Sequence, residues 1–202
     1  YIDTLVSEVE SAKKRTEAYA YALEEKAKML GNHAERDSLT DLYNKRGMMN
    51  IMKSELRMAQ RRHTMLSLIY IDVNRFKFIN DTYGHAKGDE ILVSLGRCMT
   101  NQVRSADFAC RVGGDEFCVI LPDCDHAGAQ QIAARIANDF TMENPEFSIS
   151  VGISETGTQE YLSEEALIRD ADERMYLHKA GSSLRSSAGI DDVQKTSAKR
   201  TG

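Results

Sequence analysis

The chain has 202 residues, of which 42% are apolar and 28% charged, enough for one globular domain of ordinary size with accessory segments. A net charge of -5 with Lys and Arg scattered along the chain argues against the concentrated basic face of a nucleic-acid binder. No run reaches the roughly 18 apolar residues that span a bilayer and no signal-peptide pattern is present, although an opening at Tyr1 leaves room for an upstream sensor or membrane segment.

Ile2, Leu5, Val9, Ala12, Thr16, Tyr19, Leu23, Lys26 and Leu30 recur in steps of three and four, the a/d seam of a left-handed coiled coil. Such a helix is about 45 Å long at 1.5 Å per residue. Thr16 and Lys26 weaken the seam; the dimeric coiled coil is the preferred reading, and an amphipathic helix packed on its own domain is the plainer one. After His33 the pattern breaks at "RDSLTDLYNKRGM", a hinge where Asp37 or Ser38 can cap a new helix. Residues 45–62 read as a helix and "MLSLIYIDV" (65–73) as a buried strand. "NDTYGHAKGD" reads as polar punctuation before a helix from Glu90 to about Gln102. "DFACRV", the turn "GGDE" and "FCVILP" make a hairpin, followed by a helix over 126–140 and a strand over 147–154. A last helix carries Leu167, Ala171 and Met175 to an expected stop at Gly181, and the Ser- and Lys-rich residues 182–202 read as a disordered tail. Cys98, Cys110, Cys118 and Cys124 form no C-x-x-C pair, so reduced thiols in a cytoplasmic protein are expected.

Chemistry concentrates in "RVGGDEFCVILP" (111–122), where two glycines let Asp115 and Glu116 approach a ligand closely. Asp72 closes the buried strand, where an ionised group is expensive unless paired or metal-bound. Two acids reaching one spot from two strands are the oxygen ligands that Mg²⁺ takes while it stays attached to phosphates; an ordinary acidic hairpin turn is the alternative. Lys77 alone reads as a surface lysine, Asn80 as a turn former, Asp89 as a helix cap and His85 as loop structure. "RSAD" (Arg104 to Asp107) alone reads as an i,i+3 ion pair.

Together, "DSLTDLYNKR", "DVNRFKFINDTYGHAKGD" and "RVGGDEF", in this order over about residues 37–181, resemble the GGDEF family of diguanylate cyclases. The resemblance implies an α/β fold with a central, mainly antiparallel sheet flanked by helices, the palm-type nucleotide cyclase fold. It divides the chain into a coiled-coil signalling helix (1–36), a cyclase domain (37–181) and the tail (182–202). The implied reaction condenses two GTP into cyclic di-GMP and two pyrophosphates. Asp72, the main-chain carbonyl of Val73 and Asp115 would bind two divalent ions, Mg²⁺ or alternatively Mn²⁺, with Glu116 assisting the second. Asp115 would also take the proton from the ribose 3′-hydroxyl, and Lys77 would neutralise charge growing on the transferred phosphoryl group. Asn80 and Asp89 match the guanine readers, His85 belongs to the same stretch, and Lys179 matches a phosphate-contacting lysine. Arg104 and Asp107, with Arg135 from the next helix, match the inhibitory site for cyclic di-GMP. A homodimer follows, because each 3′-hydroxyl must attack the nucleotide carried by the partner. The sequence departs from the family with Ser183 where an arginine is usual, which weakens the expected grip on the triphosphate, and with Asn74 and Lys45 at two lesser positions. A receptor that keeps the fold and binds GTP or cyclic di-GMP with little turnover is the alternative function.

Overall fold

The computed structural model describes residues 35–157 and 160–197 together with Lys13, Arg15 and Thr16, with side chains followed as far as residue 180. Two compact units are delimited, Tyr1–Arg36 and Asp37–Gly202. The heptad over residues 2–30 lies outside the described residues except for Thr16, which is helical, as are Lys13 and Arg15.

The second unit opens on a single turn in which Asp37 accepts from the main-chain N–H and the hydroxyl of Thr40, at 3.0 and 2.7 Å. Asp37 therefore closes a turn and does not cap a helix, contrary to the sequence expectation. The cap belongs to Asn44, whose Oδ1 accepts from the N–H groups of Arg46 and Gly47 at 3.0 and 3.1 Å. Helix α1 (Lys45–Arg62) then buries Met48, Met52, Leu56 and Ala59 along one stripe. Strand β1 (Leu66–Val73) is buried along its whole length. Its alternate residues serve two cores: Leu66, Leu68 and Tyr70 pack with α1, while Ile69, Ile71 and Val73 face the opposite side of the sheet.

Two helices follow where the sequence suggested polar punctuation: α2 (Phe76–Tyr83) and α3 (His85–Gln102), joined by Gly84 at φ +86°. Burial of Ile79, Gly88 and Ile91 overrides the weak local propensity of Asp81, Thr82 and the two glycines. A hairpin of β2 (Phe108–Gly113) and β3 (Glu116–Pro122) leads to α4 (His126–Glu143), capped by Asp125, which accepts from Gly128 N–H at 2.8 Å. Strand β4 (Ile149–Thr156) and α5 (Glu164–Ser197) complete the fold. The four strands lie in the order β2-β3-β1-β4, every pairing antiparallel, which is the helix-flanked antiparallel sheet expected.

Helix α5 runs past the expected stop at Gly181, with helical backbone as far as Ser197. Each interior glycine, Gly181 and Gly189, costs a helix only about 1 kcal/mol, and no proline follows them. On the sheet, α5 sits so close to β4 that a Cβ at Gly152 would overlap the main-chain Ala171 O and Met175 N. All four cysteines are free, and Cys110 faces Cys118 across the β2–β3 pair. Among the described residues no helix is long and apolar enough to cross a membrane.

Candidate active site

One end of the sheet collects the acids. In the β1–β3 register Asp72 lies opposite Glu116, and in the β1–β4 register opposite Ser150. Period-two alternation puts Asp72 on the same face as Leu68 and Tyr70, so its carboxylate points toward the α1 and α5 side. The β2–β3 turn is Gly114-Asp115, with Gly114 at φ +37°, a conformation that glycine adopts without a Cβ penalty. A Cβ at Gly113 or Gly114 would meet nothing within 4 Å, so the turn faces open space. The turn is anchored twice. Val73 N–H donates to the Asp115 carbonyl at 3.3 Å. Arg111 donates from Nε and Nη2 to the Gly114 carbonyl at 3.1 and 2.8 Å, and from Nη1 to Asp37 Oδ1 at 2.9 Å. Burial pushes the Asp37 carboxyl up, but the bonds from Thr40 and Arg111 prevail and hold it below the usual range.

Asp72 is the most enclosed of the acids, its side chain only 10% exposed. Lys179 Nζ reaches it from α5 and donates to Oδ1 at 2.6 Å. Burial raises the Asp72 carboxyl, Asp115 and Asp172 add to the rise, and the Lys179 ammonium opposes it. Glu116 is raised by burial first, then by Asp172, Asp115 and Asp72, against a small counter-pull from Lys45. Beneath them the Tyr70 hydroxyl is pushed up by burial and by Glu116. Such mutual repulsion among carboxylates is what a cation relieves. Among the described residues no three His, Cys, Asp or Glu side chains lie together as a group that could hold a metal ion. Asp72 and Asp115 with a main-chain carbonyl could supply part of an oxygen set for a divalent ion whose other positions phosphates and water would fill.

The remaining sequence candidates fall into two places. Lys77 is exposed in the first turn of α2, Asn80 sits half-buried in the same helix, and His85 and Asp89 lie one turn apart on the exposed start of α3. Gly88 joins the two helices closely: a Cβ there would overlap Asn80 Oδ1, so the glycine is what lets the Asn80 amide lie against α3. Asn74, where the family has an acid, bridges the end of β1 to the start of β4: its Nδ2 donates to Ser148 Oγ at 2.9 Å and its Oδ1 accepts from Ser150 Oγ at 2.6 Å.

Arg104, Asp107 and Arg135 lie elsewhere, beyond the opposite end of β2. Asp107 Oδ2 accepts from the main-chain N–H of Arg104 at 2.8 Å, and Asp107 N–H donates to the Arg104 carbonyl at 3.0 Å. "RSAD" is thus a closed turn and not the helical ion pair that its spacing suggests in isolation. Arg104 instead lines an open pocket of about 530 Å³ with His63, Cys124 and Asp125. Arg135 donates from Nε to Gln102 Oε1 at 2.7 Å, which fixes it beside the same turn.

Three residues near the acids escaped the sequence reading: Asp172, Arg111 and Tyr70. Asp172 had a signal, since it precedes Lys179 by two helical turns and so shares its face. Arg111 and Tyr70 had none, because their partners are contributed by distant segments.

The family model "Diguanylate cyclase, GGDEF domain" matches residues 34–184. The response regulator PleD of Caulobacter vibrioides is 40% identical over 153 residues, covering 71% of this chain and 34% of PleD. Diguanylate cyclase DosC of Escherichia coli is 38% identical over 152 residues, covering 71% of this chain and 32% of DosC. The chain therefore spans about a third of the length of the curated relatives it matches. Among solved structures, the GGDEF domain of DgcB from Caulobacter crescentus in complex with c-di-GMP superposes with a TM-score of 0.68 at 25% identity, covering 73% of this chain and 91% of that one.

Proposed function

The chain belongs to the GGDEF family of diguanylate cyclases, and from that premise we propose that it condenses two GTP into cyclic di-GMP and two pyrophosphates. The observation that carries this reading is the meeting of Asp72 with the Gly114-Asp115 turn at one sheet end, their strands locked in register by the Asp72–Glu116 pairing. Divalent ions held there by Asp72, Asp115 and the Val73 carbonyl would supply Lewis acidity at the α-phosphate and lower the pKa of the attacking hydroxyl. Asp115 then accepts the 3′-hydroxyl proton from a turn that is open enough for a nucleotide to approach. Lys77, exposed at the start of α2, offsets charge on the phosphoryl group in flight. Asp89 accepts from the guanine N1–H and N2–H₂, a donor pair adenine lacks, while the Asn80 amide bonds the base on its other side and His85 flanks it. Lys179 contacts the triphosphate.

Each domain carries one nucleotide, so two domains face each other for the two 3′-hydroxyls to attack, and the N-terminal heptad is the element that pairs them. The turn at Arg104–Asp107, with Arg135 beside it, receives the product: the guanidinium forks hold phosphate or a guanine edge and Asp107 accepts from guanine. DgcB, a relative of similar fold, was solved with c-di-GMP bound. The test is incubation with GTP and Mg²⁺ followed by chromatography of the products. Asp115→Asn keeps the size of the side chain and removes its charge, and should lower turnover at least about a hundredfold, the scale of one acid-base group. Cyclic di-GMP formation near the parental rate in that variant refutes the site, and GTP binding with no product from the parent favours the receptor reading.

A further inference from the structure

Lys179 is placed to do more than touch a phosphate. Its Nζ sits 2.6 Å from Asp72 Oδ1, and Asp72 is enclosed, faces Glu116 across the β1–β3 pair and has Asp115 and Asp172 close by. An ammonium in that position answers the repulsion among the four carboxylates, which is also what a divalent ion would do. Resting on the metal reading of the site given above, we propose that Lys179 and the divalent ion exchange on Asp72: entry of the ion expels the Lys179 ammonium, which is thereby released toward the triphosphate. A divalent ion bonded to the carboxylate at about 2.1 Å and an ammonium at hydrogen-bond distance from the same carboxylate put like charges within about 5 Å, on an acid that is itself enclosed although the Lys179 side chain is partly exposed. Expulsion relieves that repulsion. Lys179 is mounted on α5, whose contact with β4 at Gly152 fixes its base, so the four-carbon stem carries the swing. The exchange couples two ligands through one side chain. A polyphosphate that draws Lys179 away leaves Asp72 to the metal, and a metal that takes Asp72 frees Lys179 for the polyphosphate, each strengthening the other by the same factor.

The experiment uses the full chain and Mn²⁺ as probe, without nucleotide, and measures Mn²⁺ affinity by calorimetry for the parent, Lys179→Met, Lys53→Met and Asp72→Asn. Lys179→Met should bind Mn²⁺ about tenfold more tightly, the scale of one charge-assisted hydrogen bond no longer competing. Lys53→Met, which removes the same charge from an exposed position of α1, should bind as the parent does. In the unmodified chain, saturating Mn²⁺ should also speed acetylation of Lys179 relative to Lys53 by several-fold, read by peptide mass spectrometry, so the proposal stands or falls even if Lys179→Met does not fold. Equal Mn²⁺ affinity in the parent and Lys179→Met, or Lys179 acetylation that is unchanged or slowed by saturating Mn²⁺, overturns the exchange. Mn²⁺ binding that survives Asp72→Asn overturns the metal reading beneath it.

Discussion

Glu116 is a carboxylate that folding has set directly across the strand pair from another carboxylate, half-buried and within reach of two more. Like charges so opposed destabilise a sheet. Its carboxyl is raised in the folded chain, chiefly by burial, so the folded state holds the proton more tightly than the unfolded one. The stability tied to that proton is present below the ordinary glutamate range and is lost as pH rises through the raised value. At neutral pH, then, Glu116 costs stability. Glu116→Gln should melt at a higher temperature than the parent at neutral pH in the presence of a chelator, and the gain should shrink to nothing as pH falls below the carboxylate range. Thermal melts across pH check this; a variant that is less stable at neutral pH shows that Glu116 is held by partners that stabilise its charge. Retaining a costly carboxylate at this spot is the familiar trade of stability for a working site.

At the scale of elements, the decisive contact is α5 on β4. A Cβ at Gly152 would strike main-chain atoms of Ala171 and Met175, which no rotamer change can relieve. Gly152→Ala should therefore lift α5 from the sheet and lower stability by about 1–3 kcal/mol, the scale of an overpacked core, while lifting Lys179 and Asp172 from the acids. Denaturant unfolding measures the loss; stability equal to the parent would show α5 to be loosely seated. The elements most legible in the sequence were those whose signals are local: the β1 apolar run, the Gly-Gly hairpin and the stripe of α1. Helix α2 was not, because it is only eight residues long and buries Ile79 alone, leaving Asp81, Thr82 and Gly84 to read as a loop. The helix cap went to Asn44, three-residue spacing being equally available from Asp37, whose carboxylate is engaged by Thr40 and by Arg111 from 74 residues away. Asp72 and Asp115 stood out as candidates from a buried strand end and a glycine turn, and Lys179 only from its motif. That Lys179 meets Asp72 was not legible, since the contact is made by tertiary packing.

Across the whole domain, the two candidate sites are separated by the length of β2, whose six residues span about 20 Å. Arg104 lies beyond one end and Asp115 beyond the other, with no shared side-chain contact. Arg104→Ala should therefore leave the initial rate of cyclic di-GMP formation close to the parent's while abolishing the slowing that follows product accumulation, and it should weaken product binding in calorimetry. Tight binding retained by the variant would move the product site elsewhere. The pairing of Lys179 with Asp72 has one further consequence, for how the domain is made. The two residues are 107 positions apart, and β1, the central strand, finds both of its neighbours far downstream. The β2–β3 hairpin closes on local contacts, whereas the Lys179–Asp72 contact closes a long loop and raises the contact order of the domain. Asp72, Asp115 and Glu116 meet through β1–β3 pairing, but Asp172 and Lys179 join them only when α5 seats on the sheet, so a chain ended before α5 would hold its acids without the ammonium that pairs with Asp72.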